Sequence, residues 1–208
     1  MADISILIVE DEPLIAEDLA GMLKKLDFEV PAICYTLHEA KEQLKQKNKP
    51  DLVLLDINLK GEETGIEIGR WLNEELLIPF IYVTSYSDSS TLKSARQTHP
   101  YGYIVKPFTT AAIYSAVEIA LYNHAQKMNQ LFPKLSLEKI NARLLEPVTD
   151  REFEVIGLLN DGKTNSQISE QLFISLNTTK KHLKNIFIKL DVSSRSSLIA
   201  AVRTLMSL

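Results

Sequence analysis

The chain has 208 residues, with 23 Lys plus Arg against 27 Asp plus Glu and a formal net charge of -4. A hydrophobic fraction of 45% and a charged fraction of 24% exclude a mostly disordered chain, and the length fits one large domain or two small ones. The single cysteine, Cys34, excludes an intrachain disulfide and a multi-cysteine zinc site, and fits a reducing compartment.

Near the N-terminus, Asp3 precedes an apolar run of only six residues, 4–9, which Glu10-Asp11-Glu12 closes. A secretory leader needs a basic segment before its apolar run, so none is expected. No stretch approaches the roughly 18 apolar residues of a membrane span. A soluble, cytoplasmic protein without membrane contact is expected.

Charge is unevenly placed. Residues 1–128 carry 12 Lys/Arg and 19 Asp/Glu, a balance of -7, whereas residues 147–208 carry 8 and 6, a balance of +2. An acidic front half and a mildly basic tail suggest a regulatory domain joined to one that meets a polyanion, although +2 alone equally fits compositional scatter.

Strand and helix patterns alternate through the first 128 residues. A strand covers 4–9. Pro13 then suits a helix first turn, and Ile15, Leu19, Met22, Leu23 and Leu26 recur at helical spacing. A short strand at 30–34 and a polar helix at 36–48 follow. Residues 51–56 are apolar between two acids, as in a parallel strand covered on both faces. A helix near 65–76, a strand at 79–84, a helix near 88–97, a strand at 102–105 and a helix near 109–127 complete five β/α units. The expected fold class is α/β, a flavodoxin-like doubly wound five-stranded parallel sheet, followed by a small all-α domain. Residues 129–146, with Pro133 and a short helix near 135–145, read as a linker. Residues 147–208 read as helices near 149–160, 164–172, 175–190 and 195–206.

In an open α/β sheet, ligands bind beyond the carboxyl ends of the strands. Those ends here are Glu10-Asp11, Asp56, Thr84 and Lys106-Pro107. Each alone could be a solvated strand end. Together they bring three carboxylates, a hydroxyl and an ammonium towards one crevice. Clustered carboxylates repel unless a cation joins them, and oxygen ligands at this density suit Mg²⁺. A carboxylate can act as nucleophile towards phosphorus, with Lys106 and Thr84 holding the phosphoryl oxygens.

Val9-Glu10-Asp11-Glu12-Pro13, Leu54-Leu55-Asp56-Ile57-Asn58, Val83-Thr84-Ser85 and Tyr103-Ile104-Val105-Lys106-Pro107-Phe108 resemble the signatures of response-regulator receiver domains, over residues 3 to about 125. The resemblance implies Asp56 as phosphoacceptor, with Thr84 and Lys106 as its catalytic partners. It implies Asp11, Asp56 and the Asn58 carbonyl on Mg²⁺, Glu10 acting through water, a cis bond between Lys106 and Pro107, and Thr84 and Tyr103 at switch positions. Glu10 stands where many members have Asp. Lys60 replaces a frequent Pro in a loop one residue longer than the common form. A haloacid-dehalogenase-type phosphatase, the enzymatic alternative, needs an acid two residues beyond its nucleophile, and position 58 is Asn. The chain is therefore expected not to be an enzyme beyond its own phosphorylation and dephosphorylation.

At the C-terminus, Thr149-Asp150-Arg151-Glu152 and Thr164-Asn165-Ser166-Gln167 are capping boxes, with Gly162 between them suited to a left-handed turn. Helix, tight turn and helix is the layout of a helix-turn-helix. On the next helix, Leu176, Thr179, Leu183, Ile186, Phe187 and Leu190 fall within an arc of roughly 100°, a core stripe. Asn177, Lys180, Lys181, Lys184 and Ile188 fall within another such arc, which carries no acid. Lysines suit phosphates and guanine edges, and amides suit base edges.

Residues 148–204 resemble the LuxR-type DNA-binding domain, through Thr149 to Ile156, Ile168 to Ser175, Thr178-Thr179-Lys180-Lys181-His182 and Asn185 to Leu190. The resemblance implies Lys180, Lys181 and Lys184 facing the major groove, with Thr178 and His182 near backbone phosphates. Thr179 replaces the usual Val. Asp191 replaces the usual Gly, which bears on where the last helix starts. The whole chain resembles a NarL/FixJ-type response regulator. That implies a sensor histidine kinase or phosphotransfer protein and double-stranded DNA as partners, and a homodimer when phosphorylated. The alternative is a phosphorylation-controlled protein-interaction module whose C-terminal domain does not bind DNA.

Overall fold

A computed structural model describes residues 4–59, 64–85 and 89–207. Lys60 and most of its loop lie outside the described residues. The chain divides into two compact units, one covering Ile4–Leu121 and the other running from Tyr122 onwards.

The first unit is a five-stranded parallel sheet of order β2-β1-β3-β4-β5. Its strands are β1 (Ile6–Val9), β2 (Ile33–Cys34), β3 (Leu52–Asp56), β4 (Phe80–Thr84) and β5 (Gly102–Val105). The helices between them are α1 (Pro13–Lys25), α2 (Leu37–Lys45), α3 (Gly65–Trp71) and α4 (Ser89–Arg96), and α5 (Thr110–Leu131) follows β5. Every residue of β1, β3 and β4 is buried. Alternation along each strand sends its side chains to two cores. One joins Ile6, Ile8, Leu52, Leu54 and Ile81 to Leu19, Leu23, Ile113 and Val117. The other joins Leu7, Val9, Val53, Leu55 and Tyr82 to Ala40, Leu44, Ile68 and Ala95. This two-sided burial accounts for the nearly unbroken apolar sequence of β3. The helix expected near 65–76 changes character, since Leu72–Leu76 form a π-helical turn that ends on left-handed Leu77, with φ 53°.

The second unit is helical. The end of α5 is followed by α6 (Leu137–Asn141), α7 (Asp150–Asn160), α8 (Asn165–Gln171), α9 (Leu176–Lys189) and α10 (Arg195–Ser207). Both capping boxes are present, on Thr149 and on Thr164. Gly162 is left-handed, with φ 81°. Ile140, Val148, Val155, Ile156, Leu159, Ile168, Leu183, Ile186 and Leu198 form its core. Residues 129–146, read as a linker, are built into this unit. Ile140 is fully buried, and the Asn141 amide pairs with both main-chain groups of Val148, donating to its carbonyl at 2.9 Å and accepting from its N–H at 2.8 Å. Asn129 of α5 donates to Asp161 at 2.9 Å and accepts from Asn160 at 2.6 Å.

One detail of the second unit departs from sequence expectation and two others accommodate unusual residues. Leu176, placed on the core stripe, is 38% exposed. It opens α9, and helical side chains lean towards the N-terminus, so a first-turn residue overhangs the helix end. Thr179 is fully buried, as its place on the core stripe predicts, and its hydroxyl donates back to the Ser175 carbonyl at 3.4 Å. Asp191 is left-handed, with φ 51°, and α10 starts at Arg195, where the sequence pattern places it.

A buried ion pair closes this core. Glu152 Oε2 accepts from the Thr149 N–H at 2.9 Å and from Lys189 Nζ at 2.8 Å, while Lys189 also donates to the Pro147 carbonyl at 2.8 Å. Burial alone would raise the Glu152 carboxyl, but the bonds from Lys189 and Thr149 outweigh it and hold it below its ordinary value of 4.5. A depressed folded-state value stabilises above the unfolded value, and that stability is lost as pH falls through the folded one. Lys189→Ala leaves a buried carboxylate unpaired and is expected to cost about 3–5 kcal/mol. Hydrogen exchange in the α7 peptide should report this loss. In Glu152→Gln the same peptide should lose most of its acid sensitivity below pH 4.5.

Candidate functional site

Glu10 and Asp11 follow β1, Asp56 ends β3, Thr84 ends β4 and Lys106 follows β5. Parallel pairing puts these ends at one edge of the sheet. Carboxylate oxygens of Glu10, Asp11 and Asp56 lie within 4.8 Å of one another. Lys106 Nζ donates to Asp56 Oδ2 at 2.6 Å and stands 2.7 Å from Glu10 Oε2. The other Asp56 oxygen, Oδ1, accepts from the Asn58 N–H at 2.9 Å. Glu10, Asp56 and Lys106 are nearly buried, whereas Asp11 is half-buried, so the cluster opens to solvent on the Asp11 side.

Burial and the neighbouring Asp56 charge push the Glu10 carboxyl up to about 7, against the pull of Lys106. For Lys106, burial lowers the ammonium value, but Asp56 and Glu10 outweigh it and hold it above 10.5. The Lys106 ammonium thus reaches two of the three carboxylates, Asp56 and Glu10, in a nearly buried cluster. Three carboxylates that can each offer an oxygen within 4.8 Å of the others form a donor set that fits a hard divalent cation. The Lys106–Pro107 bond is cis.

The Thr84 hydroxyl is buried and donates to the Ser85 carbonyl at 3.2 Å. Tyr103 is not within the carboxylate cluster. It lies beside β4 in register with Tyr82, two residues before the partner of Thr84, so Thr84 and Tyr103 share one face of the sheet. Its ring centre is 5.7 Å from that of Tyr82. With Leu92, Lys93 and Arg96 it lines an open groove of about 380 Å³.

In the second unit, α9 begins with Ser175 accepting from the Thr178 N–H at 3.1 Å. One side of α9 buries Thr179, Leu183 and Ile186. The other exposes Asn177, Lys181, Lys184 and Ile188, with Thr178, Lys180 and His182 half-buried. The Thr178 hydroxyl is within 2.8 Å of the Ser175 hydroxyl and helps to close the cap.

Residues 6–118 match the response regulator receiver domain, and residues 146–202 match the bacterial regulatory proteins of the luxR family. The chain belongs to the response regulators that join these two domains. Over 204 residues it is 31% identical to the transcriptional regulatory protein LiaR of Bacillus subtilis, covering 93% of each chain. It is 28% identical to DegU of Brevibacillus brevis, covering 94% of this chain and 91% of that one. Among solved structures, the response regulator StyR is 27% identical, with a TM-score of 0.53, over 98% of this chain and all of that one. The family is one of transcription regulators rather than enzymes, and its two domains imply a kinase and DNA as partners.

In this response regulator, motif reading missed Gly65. A Cβ there would overlap the Asp56 carbonyl oxygen, and the Gly65 N–H donates to the Ile57 carbonyl at 3.1 Å. Only glycine lets the start of α3 come this close to the end of β3. The available signal was a glycine opening a helix directly after Thr64, where a first-turn Gly contributes nothing to helix propensity. Tyr82 was read only as part of a strand. It is fully buried and its hydroxyl is 2.9 Å from that of Thr98, a pairing that links β4 to the segment after α4.

The lysine face of this regulator yields a direct measurement. Lys180→Ala, Lys181→Ala and Lys184→Ala each change a residue outside the core and should leave folding intact. A lost phosphate contact should flatten the dependence of log affinity on log salt by about one unit per site and weaken all DNA alike. A lost guanine contact, expected at Lys184, should instead cost about 1–3 kcal/mol at one base position. Affinity against salt, on a selected operator and on random DNA, separates the two. Wild-type behaviour in all three variants would exclude α9 as the DNA-reading helix.

Proposed function

We propose that Asp56 accepts a phosphoryl group from a sensor histidine kinase or phosphotransfer protein in the cytoplasm, and that this modification drives homodimerisation and sequence-specific binding to double-stranded DNA. The observation that carries the proposal is the Asp56 carboxylate, nearly buried, with Lys106 Nζ 2.6 Å away and two further carboxylates within 4.8 Å. An Asp56 oxygen forms the new P–O bond as the P–N bond of a phosphohistidine breaks and its electron pair stays on the imidazole. Lys106 then offers its charge to the phosphoryl oxygens, and the Thr84 hydroxyl turns from the Ser85 carbonyl to donate to one of them.

The carboxylates of Asp11 and Asp56 and the main-chain carbonyl of Asn58 would hold Mg²⁺, with Glu10 acting through water. Bound there, Mg²⁺ supplies the positive charge that lets phosphoryl oxygens approach an acidic site. Movement of Thr84 changes the space beside Tyr103 on the same face of the sheet, which supports these two as the switch pair. In the second domain, Lys180, Lys181 and Lys184 meet the major groove with Asn177, and Thr178 and His182 lie beside phosphates. Phosphorylation and DNA affinity are then linked by one coupling free energy, so DNA also favours the phosphorylated form.

Asp56→Asn removes the nucleophile and keeps the shape. It is expected to abolish the acid-stable, base-labile label that a small-molecule phosphodonor leaves on the wild type, while circular dichroism stays unchanged. Chelation of divalent cations should abolish the label in the wild type as well. Undiminished labelling of the variant would move the nucleophile elsewhere, and full labelling after chelation would remove the metal from the site.

A further inference from the structure

The solvent side of α9 carries one residue that a merely solvated helix face does not call for. Ile188 is 65% exposed, yet it lies one helical turn beyond Lys184 and two beyond Lys180. These three fall within about 80° of arc, and Asn177 and Lys181 complete the face. A single exposed isoleucine is ordinary on a protein surface. Its position decides the matter here, because an apolar side chain at the C-terminal end of a cationic, acid-free face gains nothing from water and nothing from ion pairs.

We propose that Ile188 is a specificity-determining residue of the DNA-binding domain, and that it docks against the 5-methyl group of a thymine in the major groove. This rests on the reading of α9 as the DNA-facing helix. The surrounding lysines select the partner by charge. Within the major groove the thymine methyl is the apolar feature a side chain can meet, whereas every other base edge presents donors and acceptors. Isoleucine suits the task because its β-branch holds one dominant rotamer in a helix, so little freedom remains to be lost on docking. Lys184 and Ile188 stand one 5.4 Å turn apart, and base pairs rise by about 3.4 Å. The thymine is therefore within two base pairs of the base that Lys184 contacts.

The test uses the full chain, treated with a phosphodonor, and an operator selected from random DNA. Each thymine is replaced in turn by deoxyuridine, which deletes the methyl and leaves the pairing edge intact. At one thymine in each half-site the wild type should lose about fourfold in affinity, the effect of burying one methyl. Ile188→Ala should bind the thymine and deoxyuridine forms of that site equally, with sensitivity to all other positions unchanged. Ile188→Val, which retains the β-branch, should keep part of the discrimination. A methyl dependence that persists in Ile188→Ala overturns the proposal, as does an operator indifferent to every thymine methyl. Both of those outcomes leave the lysine face standing. Absence of any salt-dependent DNA binding by the wild type overturns the thymine contact together with the DNA reading of α9.

Discussion

Negative charge gathered at the carboxyl edge of a parallel sheet is the constraint on which the first domain rests. Three carboxylates within 4.8 Å are mutually repulsive, and Lys106 reaches two of them, at 2.6 and 2.7 Å. The site is stable enough to exist because the strands that carry it are buried on both faces and cannot move apart without opening two cores. Burial, with the neighbouring Asp56 charge, raises the Glu10 carboxyl there. An acidic cluster beside a half-open edge is a setting that suits a divalent cation. The same arrangement that costs stability in isolation prepares the chemistry.

The packing around the site serves this purpose in specific ways. Gly65 lets α3 start against the Asp56 carbonyl, which brings the first residue of that helix close to the end of β3. The Asn58 N–H holds one Asp56 oxygen while Lys106 holds the other, which sets the orientation of the carboxylate before any partner arrives. Tyr82 fills the layer beside Tyr103, and its hydroxyl is paired with that of Thr98. A change at Thr84 therefore meets a packed aromatic neighbourhood rather than a void.

The second domain solves a different problem, that of anchoring one face of α9 while leaving the other exposed. Leu183 and Ile186 are fully buried against α7, α8 and α10, and the buried Glu152–Lys189 pair ties the end of α9 to the start of α7. The positive side chains at 180, 181 and 184 are then carried on a packed helix, as the proposed groove recognition requires. The segment before α7 takes part, because Ile140 and Asn141 close the core and the chain entry to the capping box.

Features that depend on near neighbours in the chain were legible from the sequence alone. The strand runs, the two capping boxes, the left-handed Gly162 and the lysine stripe of α9 follow from spacing and local hydrogen bonding, and all are present. The list of acidic strand ends was legible too, since parallel topology sends those ends to one edge. Tertiary structure decided everything that depends on contact between distant segments. Asp56 and Lys106 are 50 residues apart, and Glu152 and Lys189 are 37 apart, so no periodicity reports their distances. The π turn after Trp71, the exposure of Leu176, and the burial of Ile140 in a stretch that reads as a linker were likewise hidden. Each is set by what packs against it, and local propensity, worth at most about 1 kcal/mol per residue for anything but proline, yields to burial worth more.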